Sequence, residues 1–234
     1  MLKLVLIDGN SLLNRAFYAT KLLTTKSGTP TNAVFGFVKL LLKLNSDIKP
    51  DRLIVAFDLK APTFRHKMYD QYKATRKPMP EDLAVQLPIL KSLLSSMKIA
   101  ICEKEGYEAD DIIGTLSKRF PHTHSIIITG DRDSYQLIDE NTDVYITKTG
   151  VSELNKLTVR NFKDQLGYEP RQVVDMKALM GDSSDNIPGV AGIGEKTALS
   201  LITAYDNLDN LYDNLDRLPS GSIKAKLEAG KESA

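Results

Sequence analysis

The sequence has one cysteine, no tryptophan and three histidines. A single thiol, Cys102, excludes an internal disulfide framework and a cysteine-based zinc site. His66, His122 and His124 leave little material for histidine-rich metal chemistry. Neither sign of charge is in excess: 31 Lys and Arg stand against 30 Asp and Glu, a net charge of +1. That excludes wholesale polyanion binding over the whole surface, though not a local basic patch. Long apolar runs are also lacking. Leu4 to Ile7 is too short for a signal-peptide core and is stopped by Asp8. Clusters such as Leu40 to Leu42 are bounded by lysines, so no segment approaches a membrane span. The expectation is a soluble intracellular protein, with the lone thiol suited to a reducing compartment. What is present is ordinary globular composition, 42% apolar and 26% charged over 234 residues. That is enough for one large domain or two small ones with a real core.

Through residue 150 the chain alternates strand-like and helix-like stretches. Leu4–Ile7, Leu53–Phe57, Ile99–Cys102, Ile126–Thr129 and Asp143–Ile146 read as short buried strands. Helical patterns lie between them at about 32–45, 81–97 and 109–120. In the first of these, Phe35, Phe37, Val38, Leu41 and Leu42 read as a core face. Apolar strands alternating with helices predict a mainly parallel α/β sheet. From about 158 the strands stop. Residues 171–180 read as a helix, with Pro170 near its start and Gly181 past its end. A Gly-rich loop and a helix over 195–204 follow. A near-repeat, Tyr205 to Leu211 and Tyr212 to Leu218, predicts a short amphipathic helix or pair. Lys224 to Ala234 reads as a helix still in progress, as if the chain were cut from something longer.

Three predicted strands run into an aspartate: Asp8, Asp58, and Asp131 after one glycine, with Asp133 two residues on. Any one of them alone reads most simply as a turn or helix-cap residue. In an open parallel sheet, ligands bind beyond the carboxyl ends of the strands. Parallel strands would gather these acids on one edge. Glu108, Asp110 and Asp111 follow the third strand; the macrodipole at a helix start accounts for Glu108 and Asp110, but not for the whole cluster. Asp182 and Asp185 form a further pair in a loop that Asx turns could also explain. Nine carboxylates aimed at one place could not all stay ionised without cations. Oxygen donors without His or Cys suit a hard ion, Mg²⁺ or Mn²⁺. Two such ions among many carboxylates form the arrangement for in-line phosphoryl displacement, which points to phosphodiester hydrolysis.

Residues 60–77 hold Lys60, Arg65, Lys67, Lys73, Arg76 and Lys77 against Asp70, with Tyr69 and Tyr72 interleaved. A solvated surface loop explains many charge runs. Cations that track phosphates and rings that stack on bases suit single-stranded nucleic acid, and the stretch starts directly after Asp58. The run from Gly189 to Ala198 is neither a P-loop nor a dinucleotide fingerprint, because Glu195 precedes Lys196-Thr197 and no strand leads in. It fits a tight hairpin that opens a helix and offers backbone N–H groups to a phosphate. A plain helix–turn–helix packing loop would look similar.

Taken together, several motifs resemble the 5′-nuclease domains of the bacterial polymerase I type, members of the flap endonuclease family. They are Leu6-Ile7-Asp8-Gly9-Asn10, Ala56-Phe57-Asp58, Tyr72-Lys73-Ala74-Thr75-Arg76, Glu108-Ala109-Asp110-Asp111, Gly130-Asp131-Arg132-Asp133, and Gly181-Asp182-Ser183-Ser184-Asp185-Asn186-Ile187-Pro188-Gly189. The resemblance covers essentially the whole chain, in order. It implies an α/β fold: a PIN-like, mainly parallel sheet flanked by helices, with a C-terminal helical helix–three-turn–helix subdomain. The core would span 1–157, with a basic arch at about 60–97. The helical DNA-binding subdomain would span 158–234, with a helix–hairpin–helix-like loop at 181–198.

The resemblance also implies structure-dependent 5′ nuclease action on flaps, 5′ ends and RNA primers, in replication and repair. Asp8, Asp58, Glu108, Asp110 and Asp111 match the family's first metal cluster. Asp131, Asp133, Asp182 and Asp185 match the second, with some ligands acting through water. The ions would be two Mg²⁺, with Mn²⁺ able to substitute. Lys73 and Arg76 match basic residues that position the scissile phosphate, and Tyr72 matches a ring that stacks on a base. Arg65 and Lys77 extend the same basic surface. Gly192, Gly194, Lys196 and Thr197 belong to a duplex-gripping hairpin, which in the family often holds a K⁺ between backbone carbonyls and a phosphate. The implied partners are branched or nicked duplex DNA with a 5′ flap, RNA primer strands and a DNA polymerase region, fused or separate. The chain would be a monomer of the bacterial cytoplasm, nucleoid-associated, with no membrane contact.

Overall fold

The computed structural model describes residues 1–120, 122–148 and 153–234. They divide into two compact units, Met1–Phe64 with Pro78–Thr158, and Arg65–Lys77 with Val159–Ala234. The basic stretch 65–77 groups with the helical unit.

The first unit is built on a sheet in the order β3-β2-β1-β4-β5-β6. Strands β1 (Leu2–Asp8), β2 (Arg52–Ala56), β3 (Ala100–Cys102), β4 (Thr123–Thr129) and β5 (Thr142–Thr147) run parallel. The central strands are buried on both faces: Val5 and Ile7 in β1 and Ile127 and Ile128 in β4 are fully covered. Strands covered on both sides read as continuous apolar runs rather than alternating ones, which made β1 and β4 visible in the sequence; the short β3, exposed at Ala100 and half-buried beyond it, gave the weaker signal. Strand β6 (Leu154–Leu157) was not expected. It returns antiparallel beside β5 and is only four residues long, with Asn155 and Lys156 between its two leucines, so it shows no continuous apolar run.

The helices of this part of the chain are α1 (Gly9–Ala19), α2 (Asn32–Ile48), α3 (Phe64–Met68), α4 (Glu81–Ala84), α5 (Gln86–Ser96) and α6 (Ala109–Arg119). Helix α1 had no counterpart in the sequence reading. It starts on Asp8, whose carboxylate accepts the Ser11 amide at 3.0 Å, and it buries Leu12, Leu13 and Ala16. On α2 the buried face is Phe37, Leu40, Leu41, Leu44 and Ile48, whereas Phe35 and Leu42 are exposed. Those two lie seven residues apart, and so share the opposite, outward side of a 3.6-residue repeat.

The helix expected over 81–97 is two helices, α4 and α5, which part at Val85. Pro88 sits in the first turn of α5, where a missing N–H costs nothing. Leu83, Leu90 and Leu94 are fully covered in the sheet's core. The span 60–97 is therefore not one basic arch: residues 81–96 are core-packing helix, and the basic residues are confined to its first part.

Gly9 shows how tightly the end of β1 is packed. A β-carbon there would fall 2.4 Å from Cε1 of Phe57, itself fully buried. Gly9→Ala is expected to destabilise the first unit by about 1–3 kcal/mol through overpacking, read as a lower urea midpoint. An unchanged midpoint would show that Phe57 can yield.

The second unit contains α7 (Phe162–Leu166), α8 (Val173–Met180), α9 (Glu195–Tyr205), α10 (Leu208–Asp213) and α11 (Ser222–Ala229). A 3₁₀ turn at Pro170–Gln172 leads directly into α8, so the helix expected over 171–180 is present with Pro170 at its start. The core gathers Met176, Leu179, Val190, Ile193, Ile202, Leu211 and Leu227. Where a short amphipathic helix or pair was expected, the near-repeat yields one short helix, α10, and a 3₁₀ turn at Leu215–Arg217. The stretch from Lys224, read as continuing helix, leaves α11 after Ala229 and closes in a 3₁₀ turn over Lys231–Ser233. Among the described residues no helix is long and apolar enough to cross a membrane.

Candidate metal centre and nucleic-acid interface

Strand order reverses between β1 and β4, the place where a parallel sheet opens a crevice beyond its carboxyl ends. Asp8 ends β1 there. Ile7 pairs with Ile128, which sets Asp8 beside Thr129. Asp8 Oδ2 accepts the Thr129 hydroxyl at 2.8 Å, and Oδ1 accepts the Ser11 amide. Burial pushes the Asp8 carboxyl up to about 6; the two hydrogen bonds oppose the shift, and the charges of Asp58 and Asp131 add to it.

The other acids of this unit are brought in by backbone links. The Asp58 amide donates to Asn10 Oδ1 at 3.0 Å, and Asp58 Oδ1 accepts the Ala109 amide at 2.7 Å. The second bond ties the end of β2 to the start of α6. Glu108 caps α6 in a reciprocal capping box, in which Asp111 Oδ2 accepts the Glu108 amide at 2.9 Å. The helix start thus engages Glu108 and Asp111 as a capping box, whereas the sequence assigned Glu108 and Asp110 to the macrodipole. Asp131 accepts the Asp133 amide at 3.0 Å and donates its own amide to Thr129 Oγ1 at 3.0 Å.

Asp110 stands apart. Its Oδ1 is buried with no hydrogen-bond partner. Burial raises its carboxyl well above the usual range, and Asp8, Asp131, Asp58 and Asp133 raise it further. A buried acid crowded by four others, with an orphaned oxygen, is a poor structural element. It is a good oxygen donor for a hard divalent cation. Among the described residues no three His, Cys, Asp or Glu side chains form a ready-made cage. The fit therefore rests on the donor chemistry and on the Asp110 oxygen. Ser11, Asn10 and Thr129 were missed in the sequence. They are ordinary polar residues: Thr129 meets Asp8 only once β1 and β4 are paired, Asn10 meets the Asp58 amide only once β1 and β2 are, and Ser11 caps onto Asp8 locally.

In the second unit, Asp182 and Asp185 follow α8. Asp182 and Ile187 exchange both backbone hydrogen bonds at 2.8 Å, which closes the loop. Asp182 Oδ1 accepts the amide and hydroxyl of Ser184 at 2.8 and 2.7 Å, and Oδ2 takes the Lys177 ammonium at 2.5 Å. Burial alone would raise this carboxyl, but the Lys177 and Ser184 bonds outweigh it and hold it at about 2. Asp185 is gripped by the basic stretch. Arg76 Nη2 lies 2.6 Å from Oδ1, the Tyr72 hydroxyl donates to Oδ2 at 3.1 Å, and the Lys73 ammonium stands 4.0 Å away. The Lys73 amide also donates to the Asp185 carbonyl at 3.0 Å, and Asn186 Nδ2 to the Gln71 carbonyl at 2.8 Å.

So Lys73 and Arg76, expected at a scissile phosphate, are here paired with Asp185. Asp182 and Asp185, expected as metal ligands, are ion-paired. Tyr72 is only 7% exposed, edge-on to His66 with Lys73 over its ring, and does not present a free stacking face. Arg65 is half-buried and Lys77 is exposed. Lys177 was missed; one lysine inside a helix carries no local sign that it will meet Asp182.

The glycine hairpin is held from beneath by the buried side chains of Val190 and Ile193. The Val190 amide donates to Leu179 O at 2.8 Å, and the Ile193 amide to Val190 O at 3.0 Å. Gly192 has a left-handed φ of +78°, and Gly194 caps α9. Gly192, Gly194 and Lys196 are exposed and Thr197 is half-buried.

The chain matches two adjoining family models: residues 3–167 match the 5′-3′ exonuclease N-terminal resolvase-like domain, and residues 168–234 the 5′-3′ exonuclease C-terminal SAM fold. It is 50% identical over 237 residues to DNA polymerase I of Caldicellulosiruptor bescii, covering 100% of this chain and 28% of that protein. It is 44% identical over 234 residues to DNA polymerase I of Bacillus subtilis, covering 99% and 27%. The chain thus spans little more than a quarter of the length of these relatives. Among solved structures it is similar to bacteriophage T5 5′-exonuclease with bound zinc, with a TM-score of 0.80, 25% identity, and 99% and 86% of the two chains covered. The catalytic core of Rad2 in complex with DNA substrate shares the fold, with a TM-score of 0.60, 16% identity, and 98% and 73% covered.

Proposed function

The chain belongs to the 5′-3′ exonuclease family, and on that premise we propose that it hydrolyses phosphodiester bonds at 5′ flaps and 5′ ends of DNA and of RNA primers. The observation that carries this is the buried, unpartnered Asp110 oxygen among Asp8, Asp58, Asp131 and Asp133. Asp8, Asp58, Glu108, Asp110 and Asp111 are proposed as one ligand set and Asp131, Asp133, Asp182 and Asp185 as the other. When bound, the divalent cations (Mg²⁺, with Mn²⁺ as a substitute) acidify a water and take up charge on the leaving 3′ oxygen. Thr129 and Ser11 hold the Asp8 carboxylate in place for that task. Lys73 and Arg76, exchanging Asp185 for the substrate, add charge stabilisation at the scissile phosphate. Tyr72, once released, supplies a stacking face. The 189–198 hairpin, with Lys196, Thr197 and the α9 amides, holds the duplex backbone. Arg65 and Lys77 extend the phosphate-binding surface. The protein is proposed to act as a monomer in the bacterial cytoplasm at the nucleoid, beside or fused to a DNA polymerase region.

The test is single-turnover cleavage of a 5′-flap duplex in Mg²⁺, with an EDTA control and a binding titration in Ca²⁺. Metal-dependent cutting near the junction is expected. Tight binding without cutting would indicate a junction-binding protein instead. Preferential cutting of single-stranded RNA would indicate a PIN-type ribonuclease.

A further inference from the structure

The outward carbonyl of the glycine hairpin is already facing a cation. Lys226 Nζ, from α11, donates to Gly192 O at 3.1 Å. The lysine stem lies against the glycine: a β-carbon at Gly192 would meet Lys226 Cε and Nζ, each at 3.0 Å. Of the neighbouring carbonyls, Val190 O is taken by the Ile193 amide and Gly194 O by the Ala198 amide, at 3.0 and 2.9 Å.

Helix α11 is fixed where it stands. Leu227, the residue after Lys226, is fully buried in the core of the second unit. Gly230 packs so closely on the hairpin that a β-carbon would meet Val190 Cγ1 at 2.9 Å. The fold thus places the Lys226 stem beside the hairpin, within reach of the Gly192 carbonyl.

The resemblance expects a K⁺ between the carbonyls of such a hairpin and a phosphate. The residues present do not fit that ion. An ammonium carries the same charge, holds the Gly192 oxygen, and would repel a second cation at close range. We infer that Lys226 is itself the cation of this hairpin: its ammonium braces the Gly192 carbonyl and pairs with a backbone phosphate of a nucleic-acid duplex, so that no K⁺ is needed there. This rests on the duplex-holding role proposed for the hairpin.

The experiment is a duplex-binding titration of the whole chain in Ca²⁺, at constant ionic strength, in K⁺ or in tetramethylammonium. The unaltered chain is expected to bind equally in both. Lys226→Met keeps the apolar stem and removes the charge. In tetramethylammonium its Kd should rise by about fivefold, the worth of one ion pair at ~4 Å in water, with part of the loss restored by K⁺. Lys226→Arg should behave as the unaltered chain, and thermal melting of both variants checks the fold. A K⁺-specific gain in the unaltered chain would overturn the inference and leave the hairpin's role intact. So would a folded Lys226→Met that binds like the parent. If the parent does not bind duplex in either salt, or if Lys196→Ala and Thr197→Ala leave binding untouched, the hairpin reading itself fails and takes this inference with it.

Discussion

Asp110→Asn is expected to make the metal-free chain more stable while lowering single-turnover cleavage by about 10²–10³-fold, the scale of losing one group that stabilises reaction charge. DNA affinity in Ca²⁺ should change far less. The two effects share one cause. The Asp110 carboxylate is buried, its Oδ1 has no partner, and four other aspartates crowd it. A neutral amide of the same shape removes the repulsion, and each kcal/mol gained raises the melting temperature of a chain this long by about 2–4 °C. A structural aspartate would behave oppositely, with stability and activity falling together.

The same crowding sets a pH dependence. An acid raised by folding binds more protons folded than unfolded between its two pKa values, so stability falls as pH rises through that window. Asp8, ordinarily near 3.8 and held at about 6 in the fold, places the window there. The metal-free chain should lose stability as pH rises from about 4 to about 6, and Mg²⁺ should restore most of it at the upper end. Thermal melts at a series of pH values, with and without Mg²⁺, measure this. A metal-free chain that gains stability over that interval would remove the case for a repulsive acid cluster.

Gly189→Ala is the second large effect, this time on the fold. Gly189 has φ +59°, and a β-carbon would fall 2.2 Å from the Gly181 nitrogen. Gly181 is itself left-handed at φ +73°. Two backbone segments cross here with no room for a side chain, directly beneath the loop that presents Asp182 and Asp185. Left-handed strain and overpacking together should cost about 2–5 kcal/mol. Hydrogen exchange should locate the loss in α8, α9 and the hairpin. Gly194→Ala is the control: Gly194 is extended, with nothing within 4 Å of an added β-carbon, so stability should shift by no more than about 1 kcal/mol as a weaker helix cap. Equal stability of the two variants would mean that the crossing is looser than the backbone indicates.

What could be read ahead of the structure was what local pattern encodes. Strands buried on both faces appear as apolar runs, and an acid just past such a run in a parallel sheet is brought to one edge by topology alone. Asp8, Asp58 and Asp131 were legible for that reason. Helix α1 and strand β6 were not. The first is announced only by a cap on Asp8, which was already read as a site residue, and the second is four residues long with its two leucines separated by Asn155 and Lys156. The split between Glu108–Asp111 capping and a free Asp110 turns on which carboxylate faces back along the helix, and spacing alone does not decide that. The pairing of Tyr72 and Arg76 with Asp185 spans more than a hundred residues. No local signature announces a contact at that separation, so Tyr72 read as a stacking ring although the fold covers it.

The grip of Arg76 and Lys73 on Asp185 also bears on how binding responds to salt. Affinity for a polyanion depends steeply on ionic strength because bound cations on the DNA are released into solution. A guanidinium that leaves a protein carboxylate to meet a phosphate trades one fixed counterion for another and sets Asp185 loose to recruit ions of its own. Part of the entropy gained at the DNA is thereby returned at the protein. On the proposed DNA-binding role, Arg76 and Lys73 then add less to the salt sensitivity of the complex than their charges imply, and the exposed Lys196 of the hairpin adds its full charge.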